Sequence, residues 1–261
     1  MVAATCRFMK KELPDMKITV FNGSPRAEKG NTHAMVQAFL EGANDARAAA
    51  ENIFLAKKNI QHCDGCFLCW TRHPGQCVIK DDMETLREKL IASDVIVYAT
   101  PVYVDNVTGI LKTFMDRLVP LIDPHFYKDE NNECLHRKRY GKYPKIVVIA
   151  NCGYPEQSHF QVLRLLFRRN ARNMHSEIIA EIYLSGGELL RQGSTMMKIA
   201  VSRYKKLLRK AGKELVKDMK LSEETIEKLN KPLISDQQYI KRANKYWDRM
   251  LSKSGITRIT Y

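Results

Sequence analysis

Residues 17–32 read K-I-T-V-F-N-G-S-P-R-A-E-K-G-N-T, and this stretch decides the fold class. The apolar, β-branched run at residues 18–21 has the length of a buried parallel strand, and Gly23 and Pro25 end it. From Asn31 the apolar residues Met35, Phe39, Leu40 and Ala43 recur at helical spacing, so a helix starts directly after the loop. Ser24, Arg26, Asn31 and Thr32 therefore crowd round a helix N-terminus, where unpaired N–H groups and the positive end of the macrodipole favour an anion. A phosphate is the expected guest. The Walker pattern is absent, because Asn31 and not Lys follows Gly30, and the dinucleotide pattern G-x-G-x-x-G is absent too. Hydroxyls and an amide suit one terminal phosphate monoester. The alternative reading is an ordinary capped turn between a strand and a helix.

Outward from this segment, strands and helices alternate. The sequence predicts a strand at 52–55, a helix at 82–92, a strand at 94–99, a helix at 107–118, and a strand at 145–150. A helix at 159–174, a strand at 178–184 and a helix at 197–220 follow. Five strands separated by helices predict an α/β fold whose doubly wound parallel sheet has the order 2-1-3-4-5. Its ligand crevice lies at the carboxyl ends of the strands. Three loops fall there: residues 23–32 after the first strand, Pro101-Val102-Tyr103 after the third, and Asn151-Cys152-Gly153-Tyr154 after the fourth.

The string G-S-P-R-x3-G-N-T at residues 23–32, followed by A-T-P-V-Y-V-D-N-V-T-G-I-L-K-T-F-M-D-R at residues 99–117, resembles the flavodoxin-like FMN reductases. Between them, C-D-G-C-F-L-C-W-T-R-H-P-G-Q-C-V-I-K-D-D-M at residues 63–83 is similar to the cysteine segment of the branch that includes the iron–sulfur flavoproteins. The resemblance covers residues 16–185 and implies a flavodoxin-like sheet, FMN as cofactor and NAD(P)H as electron donor. It implies that Ser24, Arg26, Asn31 and Thr32 hold the FMN phosphate. It implies that Pro101, Val102, Tyr103, Asn106, Cys152 and Gly153 embrace the isoalloxazine ring, largely through backbone groups. For Tyr103 a half-buried loop aromatic is the alternative.

Four of the seven cysteines, Cys63, Cys66, Cys69 and Cys77, form C-x2-C-x2-C-x7-C. That density argues for metal or redox chemistry over structural disulfides. Consecutive two-residue gaps wrap one loop around a [4Fe–4S] cluster, and Pro74 and Gly75 can turn the chain so that Cys77 closes the same site. A zinc ion and a metal-free loop are the other readings; in the latter, Phe67, Leu68 and Trp70 pack apolarly beside a partner subunit. Cys6 and Cys134 read as free loop thiols. Asp81 with Glu84 reads as a capping box, and Lys112 with Asp116 as an ion pair along a helix. The seven histidines show no metal-ligand spacing. No side chain is assigned a catalytic role, since a flavin accepts hydride at its own ring.

The chain of 261 residues, 44% of them hydrophobic, can build one α/β domain with additions. The expected division is an N-terminal extension at 1–15, an FMN-binding domain at 16–220 and a C-terminal helical extension at 221–261. Residues 120–144 read as a long irregular segment, with His125, Phe126 and Tyr127 as a candidate substrate wall. Neither a signal-peptide pattern nor a bilayer-length apolar run is present, so the cytoplasm is the expected compartment. The net charge of +14 lies almost wholly beyond residue 120, on amphipathic helices without a nucleic-acid motif. An acidic electron carrier, NADPH or an anionic substrate is preferred to nucleic acid as its partner. A last helix, capped by Ser235 and Gln238, carries an apolar stripe through Ile240, Ala243, Tyr246 or Trp247, and Met250, expected to bury on the domain or in a homodimer. The resulting expectation is an FMN-dependent oxidoreductase that passes electrons to a small acceptor such as a quinone. The alternatives are an iron–sulfur flavoprotein acting in electron transfer and a flavin-free binding module.

Overall fold

A computed structural model describes residues 16–191 and 195–254. The expected extension at 1–15, with Cys6, lies outside the described residues. The elements run β1 (Lys17–Asn22), α1 (Asn31–Asp45), β2 (Ala49–Phe54), α2 (Met83–Ile91), β3 (Val95–Pro101) and α3 (Gly109–Asp116). They continue with β4 (Ile122–Lys128), β5 (Cys134–Lys138), β6 (Lys145–Asn151), α4 (Gln161–Asn173), β7 (Ile178–Leu184), α5 (Thr195–Asp218), α6 (Glu223–Asn230) and α7 (Asp236–Lys253). Five strands form one sheet in the order β2-β1-β3-β6-β7 with every neighbouring pair parallel. This is the flavodoxin-like order expected, with a hairpin inserted between its third and fourth strands.

The run Val95-Ile96-Val97-Tyr98-Ala99 shows why the sheet is covered twice. Val95, Val97 and Ala99 join the cluster under α1 and α5, whereas Ile96 and Tyr98 join the cluster under α2, α3 and α4. Successive strand side chains point to opposite faces, so a strand apolar at every position needs helices on both. Each fully buried Val or Ile here contributes about 1.5–3 kcal/mol relative to exposure.

The inserted segment corrects the expectation of an irregular loop at 120–144. β4 and β5 pair antiparallel as a hairpin. Pro124 and the polar tip conceal it in the sequence. The tip is closed by the Asp129 carboxylate, which accepts the N–H groups of Asn131 and Glu133, and Arg172 of α4 holds the other Asp129 oxygen. Cys134 accordingly stands in a strand and not in a loop.

α1 and α5 cross with almost no side chain between them. A Cβ on Gly42 would lie 1.9 Å from the Arg209 carbonyl oxygen, and one on Gly212 would lie 2.0 Å from that of Phe39. Both obstacles are backbone, so neither can swing aside. The terminal helices α6 and α7 are capped by Ser222 and Ser235, whose side chains accept from the Thr225 and Gln238 N–H groups. Of the apolar stripe on α7, expected to bury on the domain or in a homodimer, only the first part is buried on the domain. Tyr239 is buried, while Ile240, Tyr246, Trp247 and Met250 stay exposed, because only the first part of the helix reaches the core. Gly212→Ala should lower stability by about 2–3 kcal/mol through overpacking, measured by urea unfolding; an unchanged midpoint would contradict the backbone contact.

Candidate functional site

The carboxyl edge of the sheet is where the three loops meet, and Asn151 at the end of β6 joins them. Its side-chain Nδ2 donates to Thr32 Oγ1 at 2.8 Å, and its carbonyl accepts the Val102 N–H at 2.8 Å. Gly187, after β7, lies so near that an added Cβ would meet Asn151 Oδ1 at 2.6 Å. One buried residue thus ties the start of α1, the loop after β3 and the loop after β7. Because Asn151 and Thr32 are both buried, losing either partner strands a polar group at a cost of about 1–3 kcal/mol.

Loop 23–30 is fixed from below. The Gly23 N–H donates to the Ala99 carbonyl at 2.8 Å, and Thr108 Oγ1 donates to the Gly23 carbonyl at 2.7 Å while capping α3 by accepting the Leu111 N–H. A side chain at Gly23 would strike Leu111 Cβ at 2.6 Å, so only glycine lets β1 end against α3. The Ser24 N–H turns back to Asn22 Oδ1, and the Ser24 hydroxyl faces the Cα of Gly30. Gly30 precedes α1 in an extended conformation and gives the helix no side-chain cap.

The four residues expected at a phosphate divide into two kinds. Ser24, Asn31 and Thr32 are buried against the start of α1, whereas Arg26 is exposed and pairs with Glu188 at 3.0 Å. Thr32 spends its lone pair on Asn151 and keeps its hydroxyl hydrogen, and the buried Asn31 Oδ1 has no partner. Uncapped helix amides and two hydroxyls form a donor set that fits a phosphate monoester, whereas the unpartnered Asn31 Oδ1 is an acceptor and adds nothing to it. Of the six ring-loop residues, Pro101, Val102, Cys152 and Gly153 lie where the strands end. Cys152 is buried, its thiol pushed up by burial, and its N–H extends the ladder to the Leu184 carbonyl. Tyr103 and Asn106 close a two-residue turn through paired backbone bonds, with Val104 and Asp105 both at positive φ. Tyr103 is 48% exposed, and the Asn106 side chain turns inward to the Val107 N–H.

Cys63, Cys66, Cys69 and Cys77 are brought together. All four thiols are free and line one cavity of about 110 Å³ with Phe67, Val78 and Pro120. Gly75, at φ +83°, reverses the chain, and its N–H bonds to the Cys69 carbonyl. Burial, followed by the neighbouring Cys77, pushes the Cys69 thiol up. Among the described residues no three His, Cys, Asp or Glu side chains approach closely enough to hold one metal ion. Four thiols on one cavity are a donor set that an iron–sulfur cluster takes.

Sequence reasoning missed the group that anchors this cavity. Arg117, one residue beyond α3, is buried and reaches both Asp81 oxygens, at 2.6 and 3.1 Å, the Gln61 carbonyl at 2.7 Å and Cys77 Sγ at 3.5 Å. Asp81 does accept the Met83 N–H at the head of α2, but its main partner is Arg117, which corrects the capping box with Glu84. The expected Lys112–Asp116 pair is present at 2.5 Å on the exposed face of α3. Thr108 and Tyr239 were likewise unread as site-building residues, and Asn151 was placed at the crevice without its bond to Thr32. The polar residue ending the apolar run 145–150 was the available signal for Asn151.

Residues 16–141 match the NADPH-dependent FMN reductase family. An iron-sulfur flavoprotein of Archaeoglobus fulgidus is 34% identical over 142 residues, which are 54% of this chain and 58% of that protein. An iron-sulfur flavoprotein of Methanosarcina thermophila is 37% identical over 111 residues, 42% of this chain and 56% of that one. The chain thus spans little more than half the length of these relatives. The NAD(P)H:quinone oxidoreductase of Methanothermobacter marburgensis shares the fold, with a TM-score of 0.57 at 15% identity over 77% of this chain and 97% of that one.

Burial pushes the Asp81 carboxyl up, but the Arg117 hydrogen bonds and two backbone N–H groups outweigh it, and the net shift is downward. Asp81 therefore contributes stability that is full above its unfolded pKa and lost as pH falls through the folded value. Arg117→Leu should cost about 3–5 kcal/mol by stranding that buried carboxylate. Urea unfolding across the acid range measures both effects, and an acid slope unaltered in Arg117→Leu would contradict the pairing.

Proposed function

We propose that this chain is an FMN-dependent oxidoreductase that draws electrons from NAD(P)H or a reduced carrier and passes them to a small acceptor such as a quinone. The observation that carries the reading is the Asn151 junction, which gathers three loops around an uncapped helix terminus with unspent donors. The match to the NADPH-dependent FMN reductase family supports it. When bound, the flavin supplies hydride and single-electron chemistry. In this reading Ser24, Asn31, Thr32 and the first amides of α1 hold its phosphate, with Arg26 at the rim. Pro101 to Tyr103, Asn106, Cys152 and Gly153 border its ring and exclude water from one side. The division into residues 16–220 as the flavin domain and 221–261 as a helical extension follows from the same assignment, and a homodimer would cover the exposed Ile240 and Leu251 of α7.

A second reading rests on the four thiols sharing one cavity. Cys63, Cys66, Cys69 and Cys77 would hold a [4Fe–4S] cluster, which supplies one-electron transfer, and Arg117 would offset its negative charge through Cys77. Thr108 and Arg117 flank the two ends of α3, whose eight residues span about 12 Å, so the cavity and the crevice are separate sites. No helix among the described residues is long and apolar enough to cross a membrane.

Anaerobic purification with a visible spectrum and iron, sulfide and flavin analysis tests both readings. Stoichiometric FMN that NADPH bleaches supports the first, and iron and sulfide lost in Cys66→Ser with FMN retained support the second. A protein that takes up no FMN would overturn the first, and iron content unchanged in Cys66→Ser would overturn the second.

A further inference from the structure

A second cavity, of about 370 Å³, lies beside the crevice between the turn after β7 and α7. Its walls carry Arg26, Arg191 and Arg242, a single carboxylate, Glu188, and the aromatic rings of Tyr246 and Trp247. Glu188 is taken by Arg26, and among the described residues Arg191 and Arg242 make no ion pair. Two unneutralised guanidinium groups in one small cavity attract an anion, and their planar forks match phosphate oxygens. Trp247 is 60% exposed and Tyr246 is 44% exposed, their rings 5.2 Å apart. Large aromatics left open beside arginines form a stacking surface for a planar base.

The cavity is joined to the proposed flavin crevice at both of its ends. Arg26 belongs to the loop read as the phosphate site. Tyr239, which also lines the cavity, donates its hydroxyl to the Gly153 carbonyl at 2.7 Å, in the loop read as bordering the ring. Its ring sits over Gly186, where an added Cβ would meet it at 2.9 Å, so α7 is seated on the loop after β7 and not merely beside it. Apart from Arg26, every lining residue follows residue 141, outside the part of the chain that matches the family.

We infer that this cavity binds the phosphorylated adenosine end of the dinucleotide donor, with phosphate on Arg191 and Arg242 and the adenine against Trp247 and Tyr246. The inference rests on the flavin reading for the donor's other end, since Arg26 and Tyr239 join this opening to the loops read as holding the flavin. The volume is within the range of small-ligand sites. A metal ion is a poor occupant, because the walls offer one carboxylate and three cations.

Calorimetric titration of the full chain with adenosine 2′,5′-bisphosphate tests the cavity without requiring flavin. Binding should weaken about tenfold in Arg242→Ala and in Trp247→Ala, and Arg242→Lys should recover part of the loss. Both side chains lie outside the buried core, so folding, checked by circular dichroism, should be retained. In flavin-loaded protein the KM for NADPH should rise in the same variants while FMN content holds. No bisphosphate binding to the wild-type chain, or equal binding to all variants, would overturn the cavity's assignment. An unchanged NADPH KM in variants that have lost bisphosphate binding would overturn its assignment to the donor. Absence of FMN would sink the flavin reading alone, and the bisphosphate titration would still decide the cavity.

Discussion

The hydrogen bond from Asn151 to Thr32 holds the carboxyl edge of this sheet in one arrangement. It is buried, it reaches from the end of β6 past β3 to the helix that follows β1, and it fixes the first turn of α1 relative to the end of β6. The same residue receives the Val102 N–H and leaves room only for glycine at 187. Loops are ordinarily the most variable parts of an α/β domain. Here their relative positions are set by a side chain whose alternatives would leave polar atoms stranded. That constraint is what allows a helix terminus to remain uncapped by the protein and open to an anion.

α3 extends the constraint away from the edge. At one end Thr108 binds the Gly23 carbonyl and caps the helix; just beyond the other, Arg117 closes on Asp81 and touches Cys77. The two candidate sites are therefore attached to one short rigid element. A buried arginine is costly unless fully paired, and this one makes three kinds of bond, to a carboxylate, a carbonyl and a thiol, with its Nε left unpartnered. Its presence is accounted for by the cavity it borders more readily than by stability, since a well-packed apolar residue serves stability equally well.

The sheet was legible because its signals are local. Runs such as residues 95–99 and 145–150, apolar at every position and separated by amphipathic helices, allow few topologies once crossovers are right-handed. Loop chemistry was legible for Ser24, Asn31 and Thr32, where hydroxyls and an amide surround a helix start. The hairpin at β4 and β5 was not, because Pro124 and a charged tip imitate irregular chain, and its closure depends on Arg172 from α4. The bonds of Asn151, Arg117 and Tyr239 escaped for a shared reason. Their partners lie 119, 36 and 86 residues away, and no spacing rule reaches that far. Of the stripe on α7, only the part around Tyr239 is buried on the domain, because the helix is anchored there through one tyrosine.

The central claim is that the edge around Asn31, Thr32 and Ser24 recognises a phosphate monoester on a flavin. Fluorescence-quenching titrations of flavin-free protein with FMN and with riboflavin test it most directly. The two ligands share a ring and ribityl chain and differ only in the phosphate. The account predicts that FMN binds at least about a hundredfold tighter, the order expected for several charge-assisted hydrogen bonds. Equal affinity for both ligands would contradict it.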